Sequence, residues 1–139
     1  MVAKWQFVSN KKLFIEVDYK LGLKFQELVK KLEEKFGGGL ELDTILLLIG
    51  VQELGKGYKD FSKDEKMNLM HIAICTILEP YGVYKYVAND DDGWPHFEKV
   101  KNIPPISNKD QEHLIKEAVI NYFEGNEYVR PSAVANEQE

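Results

Sequence analysis

Residues 62–80, SKDEKMNLMHIAICTILEP, predict one capped and largely buried helix. Ser62 is suited to cap the first turn, and Glu65 stands at the third helical position, where it completes a capping box. Pro80 and Gly82 supply the signals that end the helix. At 100° per residue its apolar side chains cover an arc of roughly 240°, far wider than a surface helix needs. These side chains are Met67, Leu69, Met70, Ile72, Ala73, Ile74, Ile77 and Leu78.

A narrow polar stripe is left on the same helix. It consists of Asp64, Asn68, His71, Cys75 and Glu79, at spacings of four, three, four and four residues. We expect the other segments to pack around the helix, so that any functional site on it lies along this stripe.

The composition is that of one globular domain. The chain has 139 residues, of which 44% are hydrophobic and 29% are charged, which is enough apolar material for a single core. We predict one globular domain over residues 1–125. Residues 126–139 lack apolar periodicity, so we expect a flexible C-terminal tail there.

Charge and targeting signals exclude several classes of protein. The formal net charge is −5, which argues against binding to nucleic acid or to anionic lipid through charge alone. A single cysteine excludes an internal disulfide. Residues 1–12 lack the apolar core of a secretory signal, and no run approaches the ~18 apolar residues of a membrane span. We therefore expect a soluble, cytoplasmic protein.

Four further segments show a clear period. Residues 12–19 alternate apolar and polar side chains, which predicts a half-buried strand. Residues 21–36 form an amphipathic helix ended by three glycines. Residues 43–54 are apolar almost all round and predict a buried helix capped by Asp43, although so short a run is also compatible with a central strand. Residues 109–124 predict a last helix, capped by Ser107 or Asn108.

Two aromatic-rich stretches predict a β-hairpin over residues 83–100. They flank Asp92 and Gly93, an Asp-Gly pair typical of hairpin turns, and Pro95 places the second arm at an edge. The fold class that follows is α+β and predominantly helical. It has about four helices around the central helix 62–79, with a small antiparallel hairpin to which residues 12–19 add a strand.

The hairpin supplies the leading functional hypothesis. Its candidate partner-binding residues are Tyr84, Tyr86, Trp94 and His96, since tyrosine and tryptophan combine a large apolar body with a polar tip. Aromatic residues are also common in strands that only pack. With the acidic charge, the hairpin favours a non-enzymatic protein-interaction module, such as an adaptor, an inhibitor or an immunity-type protein, with a basic partner. A homodimer is a further possibility.

The polar stripe supplies the alternative hypothesis. His71 and Cys75, one turn apart with Glu79 beyond, are residue types that bind zinc. Zinc requires three or four ligands, however, and no CxxC or HExxH pattern supplies the rest. The alternative to a metal site is that these residues simply form the solvated edge of a buried helix. A small metal-dependent enzyme or sensor thus remains open, while no cofactor is the primary expectation.

Other site types lack the residues they need. An EF-hand loop aligned on Gly93 would place Ala88 and Lys99 where carboxylates are required, so residues 90–92 predict a solvated turn. A winged helix-turn-helix would need a polar, basic recognition helix, whereas helix 62–79 is apolar. The sequence also has no GxSxG, GxxxxGK[ST] or GxGxxG motif. Whether the protein is an enzyme therefore stays open, although the sequence favours a non-enzymatic protein.

Overall fold

The computed structural model describes residues 11–103 and 105–125, with side chains described from Tyr19 onward. In chain order the elements are α1 (Lys11–Phe36), α2 (Leu42–Leu54), α3 (Lys63–Leu78), a 3-10 turn (Glu79–Tyr81), β1 (Tyr84–Asn89), β2 (Pro95–Lys99) and α4 (Asn108–Glu124). The predicted fold class is confirmed: over these residues the protein is mostly helical α+β, with four α-helices and one two-stranded antiparallel hairpin. The predicted tail, residues 126–139, lies outside the described residues.

The capping box that begins α3 is confirmed. The Ser62 hydroxyl accepts a hydrogen bond from the Glu65 backbone N–H at 3.2 Å, and the Ser62 N–H donates to Glu65 Oε1 at 2.9 Å. The helix ends at Leu78, and Pro80 lies in the 3-10 turn that follows. Gly82 then takes the left-handed conformation (φ 77°) that turns the chain toward β1.

The strand predicted for residues 12–19 is wrong, because this segment is the beginning of α1. Its apolar alternation is real, but the sequence also carries a four-residue period that runs from Leu13 and Val17 through Leu21 to Phe25. Extending an existing helix adds one hydrogen bond per residue without a new nucleation step. A strand would instead need a partner from elsewhere in the chain. The helical period therefore prevails.

The segment 43–54 is a helix, as predicted, but its cap is not Asp43. Glu41 occupies the N-cap position without a side-chain cap bond, and Asp43 lies inside the first turn, where its charge still favours the helix dipole. At Gly50, α2 passes so close to α3 that an added Cβ would overlap the Leu69 carbonyl. The two helices therefore meet almost backbone to backbone.

The core has two parts. The main cluster joins buried side chains from all four helices: Leu28, Leu32, Ile45, Leu46, Ile49, Ala73, Ile77, Leu78, Ala118, Val119, Ile120 and Phe123, with Val83 beside them. A smaller cluster consists of Leu54, Phe61 and Leu69, against which Trp94 packs. Helix α3 contacts α2, α4 and both strands, whereas α1 packs chiefly against α4. The predicted placement of every other helix around α3 is therefore not confirmed.

The apolar arc predicted for α3 needs two corrections. Met67 is 62% exposed instead of buried, and Cys75 is fully buried instead of lying on the wet stripe. The reason is that burial changes along the helix. Its last two turns, which include Ile77 and Leu78, are buried nearly all round, whereas its first two turns are buried on one side only. A helical projection of the sequence places both halves of the helix on one wheel, so it cannot show that their burial differs.

The hairpin and the last helix agree with the sequence. Tyr84 pairs with Lys99 and Tyr86 with Phe97, and the register then shifts at a bulge between Tyr86 and Ala88. The Ser107 hydroxyl caps α4 by accepting from the Asp110 N–H at 3.1 Å. Within the described part of the chain, no helix has the length and apolarity to cross a membrane.

Candidate functional site

The hairpin is fixed to the helical body at its tip. The half-buried Trp94 side chain packs on Leu54, Phe61 and Leu69, the small cluster between α2 and α3. The Lys56 ammonium group, from the loop between these helices, donates a hydrogen bond to the Asp92 carbonyl. The turn therefore has both an apolar and a polar attachment to the body.

Asp90 organises this turn. Its Oδ1 accepts hydrogen bonds from the backbone N–H groups of Asp92 at 2.9 Å and Trp94 at 3.0 Å. Its Oδ2 lies 2.8 Å from His96 Nε2. Hydrogen bonds lower the pKa of Asp90, and the bond with His96 has the largest effect and the bond with the Trp94 N–H the next largest. The anionic carboxylate is thus the form that holds the turn together.

The aromatic side chains of the hairpin divide between the body and solvent. Tyr84 is half-buried, and its ring lies edge-on to His71 of α3, with the ring centroids 6.2 Å apart. Tyr86 is 44% exposed, with its ring edge-on to Phe97 at 5.8 Å. Its hydroxyl donates to the Asn89 side-chain carbonyl at 2.8 Å. Tyr86 is therefore exposed but held in one orientation.

The four predicted partner-binding residues consequently have different environments. Tyr84 and Trp94 pack against the body, while Tyr86 and His96 remain exposed, His96 in contact with Asp90. Sequence reasoning missed Val87, which is 57% exposed and stands at the bulge. Bulges re-aim side chains and recur beside functional sites. No sequence signal reveals this one, since it depends on how the two arms align.

The strand edges of the hairpin carry groups that disfavour the addition of another strand. The Glu79 carboxylate accepts a hydrogen bond from the Tyr86 N–H at 3.1 Å, so this backbone donor on β1 is already occupied. On β2, Pro95 has no N–H, and Lys99 places a charge near the other end. Proline, charged side chains and bulges are common edge protections. Contact through the exposed side chains is therefore favoured over strand pairing.

The predicted metal-binding residues are only partly brought together. Cys75 Sγ lies 3.5 Å from His71 Nε2, whereas the Glu79 carboxylate bonds to β1. Burial raises the pKa of the Cys75 thiol to about 11, which opposes the thiolate form that binds metals. Over the residues that the structure describes, no group of three or more His, Cys, Asp or Glu side chains is arranged to hold a metal ion.

Comparison of the chain with protein families, with curated proteins and with solved structures found no match in any of the three.

Proposed function

We propose that this protein is a non-enzymatic protein-interaction module that binds its partner through the hairpin. The contact surface consists of Tyr86, Val87, Asp91 and Asp92, and we call it the hairpin surface. The observation that carries the proposal is the exposure of Tyr86 and Val87, 44% and 57%, on a hairpin otherwise anchored to the body.

The anchoring supports this function because binding then costs little conformational entropy. The Tyr86 ring is held by Phe97 and by the hydroxyl bond to Asn89, and the turn is held by Asp90 and Trp94. Immobilising a free side chain at an interface costs about 0.5–1.5 kcal/mol. A side chain that is already fixed avoids much of that cost, and tyrosine is among the residues enriched in interfaces.

The charge of the surface favours a basic partner. Asp91 and Asp92 are exposed beside the organised carboxylate of Asp90, and the whole chain carries a net charge of −5. The hairpin also carries Lys85 on β1 and Lys99 on β2, and Lys56 from the loop after α2 already donates to the Asp92 carbonyl. Opposite potentials steer association and disfavour acidic competitors.

The metal-dependent alternative has weaker support. His71 and Cys75 do contact each other, but Cys75 is fully buried and its raised pKa disfavours metal ligation. These features are those of a structural thiol inside the core.

Affinity capture from the native cell lysate tests the proposal. The double variant Tyr86→Ser/Val87→Ser removes the apolar part of the hairpin surface. Tyr58→Ser/Met67→Ser is the matched control, because these side chains are 75% and 62% exposed outside the hairpin. We expect a basic protein that the unmodified chain and the control both capture, with recovery about tenfold or more lower for the hairpin variant, since truncating a hot-spot residue costs about 2 kcal/mol or more.

A photo-reactive side chain at position 87 gives a second measurement, since it should cross-link to that same protein. Equal capture by the hairpin variant, an acidic captured protein, or no specific capture at all would each contradict the proposal.

A further inference from the structure

Glu79 lies beside the hairpin surface without belonging to it. It stands in the 3-10 turn after α3, and its exposed carboxylate accepts the Tyr86 N–H through Oε2 at 3.1 Å. Among the residues whose side chains are described, none donates a hydrogen bond to Glu79 Oε1. An ionised carboxyl group can accept from about four directions. Most of the acceptor capacity of Glu79 is therefore open to a ligand.

Tyr86 is flanked by Phe97 on one side and by Glu79 on the other. On the β2 side the ring meets Phe97, its cross-strand partner, with the ring centroids 5.8 Å apart. Glu79 reaches the Tyr86 N–H from the other edge of β1, where the two-stranded sheet of the described chain ends. The residue remains 44% exposed between them. An exposed aromatic ring and an exposed carboxylate are thus neighbours.

The local charge favours a cation at this position. Residues 79–99 contain five acidic side chains and two lysines. Lys85 precedes Tyr86 in β1, so it points to the opposite face of the hairpin, where it pairs in register with Glu98. Lys99 shares the face of Tyr86 but stands one register pair further from the tip. Among the side chains that the structure describes, no cation lies over the Tyr86 ring.

A ring beside a carboxylate suits a guanidinium group. The guanidinium is planar, so it can stack on an aromatic face while its N–H groups, which lie in the same plane, donate to a carboxylate. An ammonium group is compact and more strongly hydrated, and it has no flat face to stack. Tyr86 is held through its ring, its hydroxyl and its N–H, so little side-chain freedom is lost on binding.

We propose that Glu79 and the exposed face of Tyr86 form a binding site for an arginine side chain of the partner. The guanidinium stacks on the Tyr86 ring and donates to the Glu79 carboxylate, while the Tyr86 N–H keeps its bond to Oε2. The proposal rests on the proposed function, because it names the basic side chain that the hairpin recognises. It also gives Glu79, a residue outside the two strands, a direct role in binding.

Titration of the purified full-length chain with blocked amino acids tests the site in the absence of the partner. N-acetyl-arginine amide is the probe. N-acetyl-lysine amide keeps the charge without the planar group, and N-acetyl-citrulline amide keeps the planar shape without the charge. We expect the arginine probe to shift the backbone amide resonance of Tyr86 with a dissociation constant in the millimolar range. The other two should bind at least about threefold more weakly.

Two variants and one matched control locate the site. Glu79→Gln removes the charge but can still accept the Tyr86 N–H, and Tyr86→Leu removes the aromatic face but keeps an apolar side chain. Each should weaken binding of the arginine probe about two- to fivefold. Glu98→Gln removes the same charge from the opposite face of the hairpin, so binding should stay nearly unchanged. The amide spectrum of each variant shows whether it is folded.

Three results would overturn the arginine site: no shift at position 86, equal binding of the lysine or citrulline probe, or an equal loss in Glu98→Gln and Glu79→Gln. Affinity capture then separates this proposal from the proposed function. Glu79→Gln should recover the same basic protein about two- to fivefold less well, and undiminished recovery would overturn the arginine site alone. Capture of no basic protein, while the arginine probe still binds, would overturn the proposed function instead.

Discussion

At the scale of single residues, the contact between α2 and α3 depends on a glycine. An added methyl group at Gly50 would overlap the Leu69 carbonyl, a backbone atom that cannot rotate away. Gly22 in α1 is the matched control, since nothing lies within 4 Å of where its Cβ would stand. The two glycines have the same chemistry in helices but opposite surroundings.

Alanine at these two positions should therefore act in opposite directions. We expect Gly50→Ala to lower the free energy of unfolding by about 1–3 kcal/mol or more, because the helices must move apart. Gly22→Ala should raise it by roughly 0.5–1 kcal/mol, the helix-propensity difference between the two residues. Urea unfolding of both variants measures this, and a stabilising Gly50→Ala would show that the helices are not in contact there.

At the scale of the elements, the turn of the hairpin depends on an ionised carboxylate. Asp90 has a lowered pKa because of its hydrogen bonds to His96 and to backbone N–H groups. A carboxyl whose pKa is lower in the folded state than in the unfolded state stabilises the fold. This contribution is fully present above the unfolded pKa of about 3.9, and it is lost as the pH falls through the folded pKa. The hairpin should therefore loosen in acid.

The variant Asp90→Asn isolates this effect. At pH 7 it should be less stable than the unmodified protein, because a neutral amide is a weaker acceptor for the Trp94 N–H and His96. The difference should shrink as the pH falls below the unfolded pKa of about 3.9 and through the lower folded value, because Asp90 itself then becomes protonated. Urea unfolding across this pH range provides the measurement, followed by tryptophan fluorescence in a Trp5→Phe background so that Trp94 is the remaining fluorophore. A difference independent of pH would mean that the charge of Asp90 does not hold the turn.

Elements marked by a local sequence pattern were predictable. Features that depend on contacts between distant segments were not. Helix α3 has its capping box at Ser62 and Glu65, and the hairpin has its Asp-Gly turn, so both followed from short sequence patterns. The segment 12–19 fits two periods, and tertiary context favours the helical one. The bulge at which exposed Val87 stands arises from the register of β1 against β2. Register depends on both arms at once, so Val87 escaped prediction, and Asp91 and Asp92 were predicted only as part of a solvated turn.

At the scale of the whole molecule, the same helical pattern gives different burial at the two ends of α3. Met67 and Ile77 both belong to the apolar arc in the sequence, but Met67 is 62% exposed and Ile77 only 2%. The C-terminal half of the helix contributes Ala73, Ile77 and Leu78 to the main cluster, which side chains from the other three helices complete, whereas Met67 belongs to neither cluster. Which part of an apolar face becomes core is therefore decided by neighbours that lie far away in sequence.

This difference makes a prediction that the sequence pattern alone would get wrong. Ile77→Ala should lower the free energy of unfolding by about 2–5 kcal/mol, because a cavity opens in the main cluster. Met67→Ala should change it by less than roughly 0.5 kcal/mol, since the side chain is mostly in water and alanine favours the helix equally well. Chemical denaturation of the two variants compares them directly. Similar losses would mean that another part of the protein, or a second copy, covers Met67 in solution.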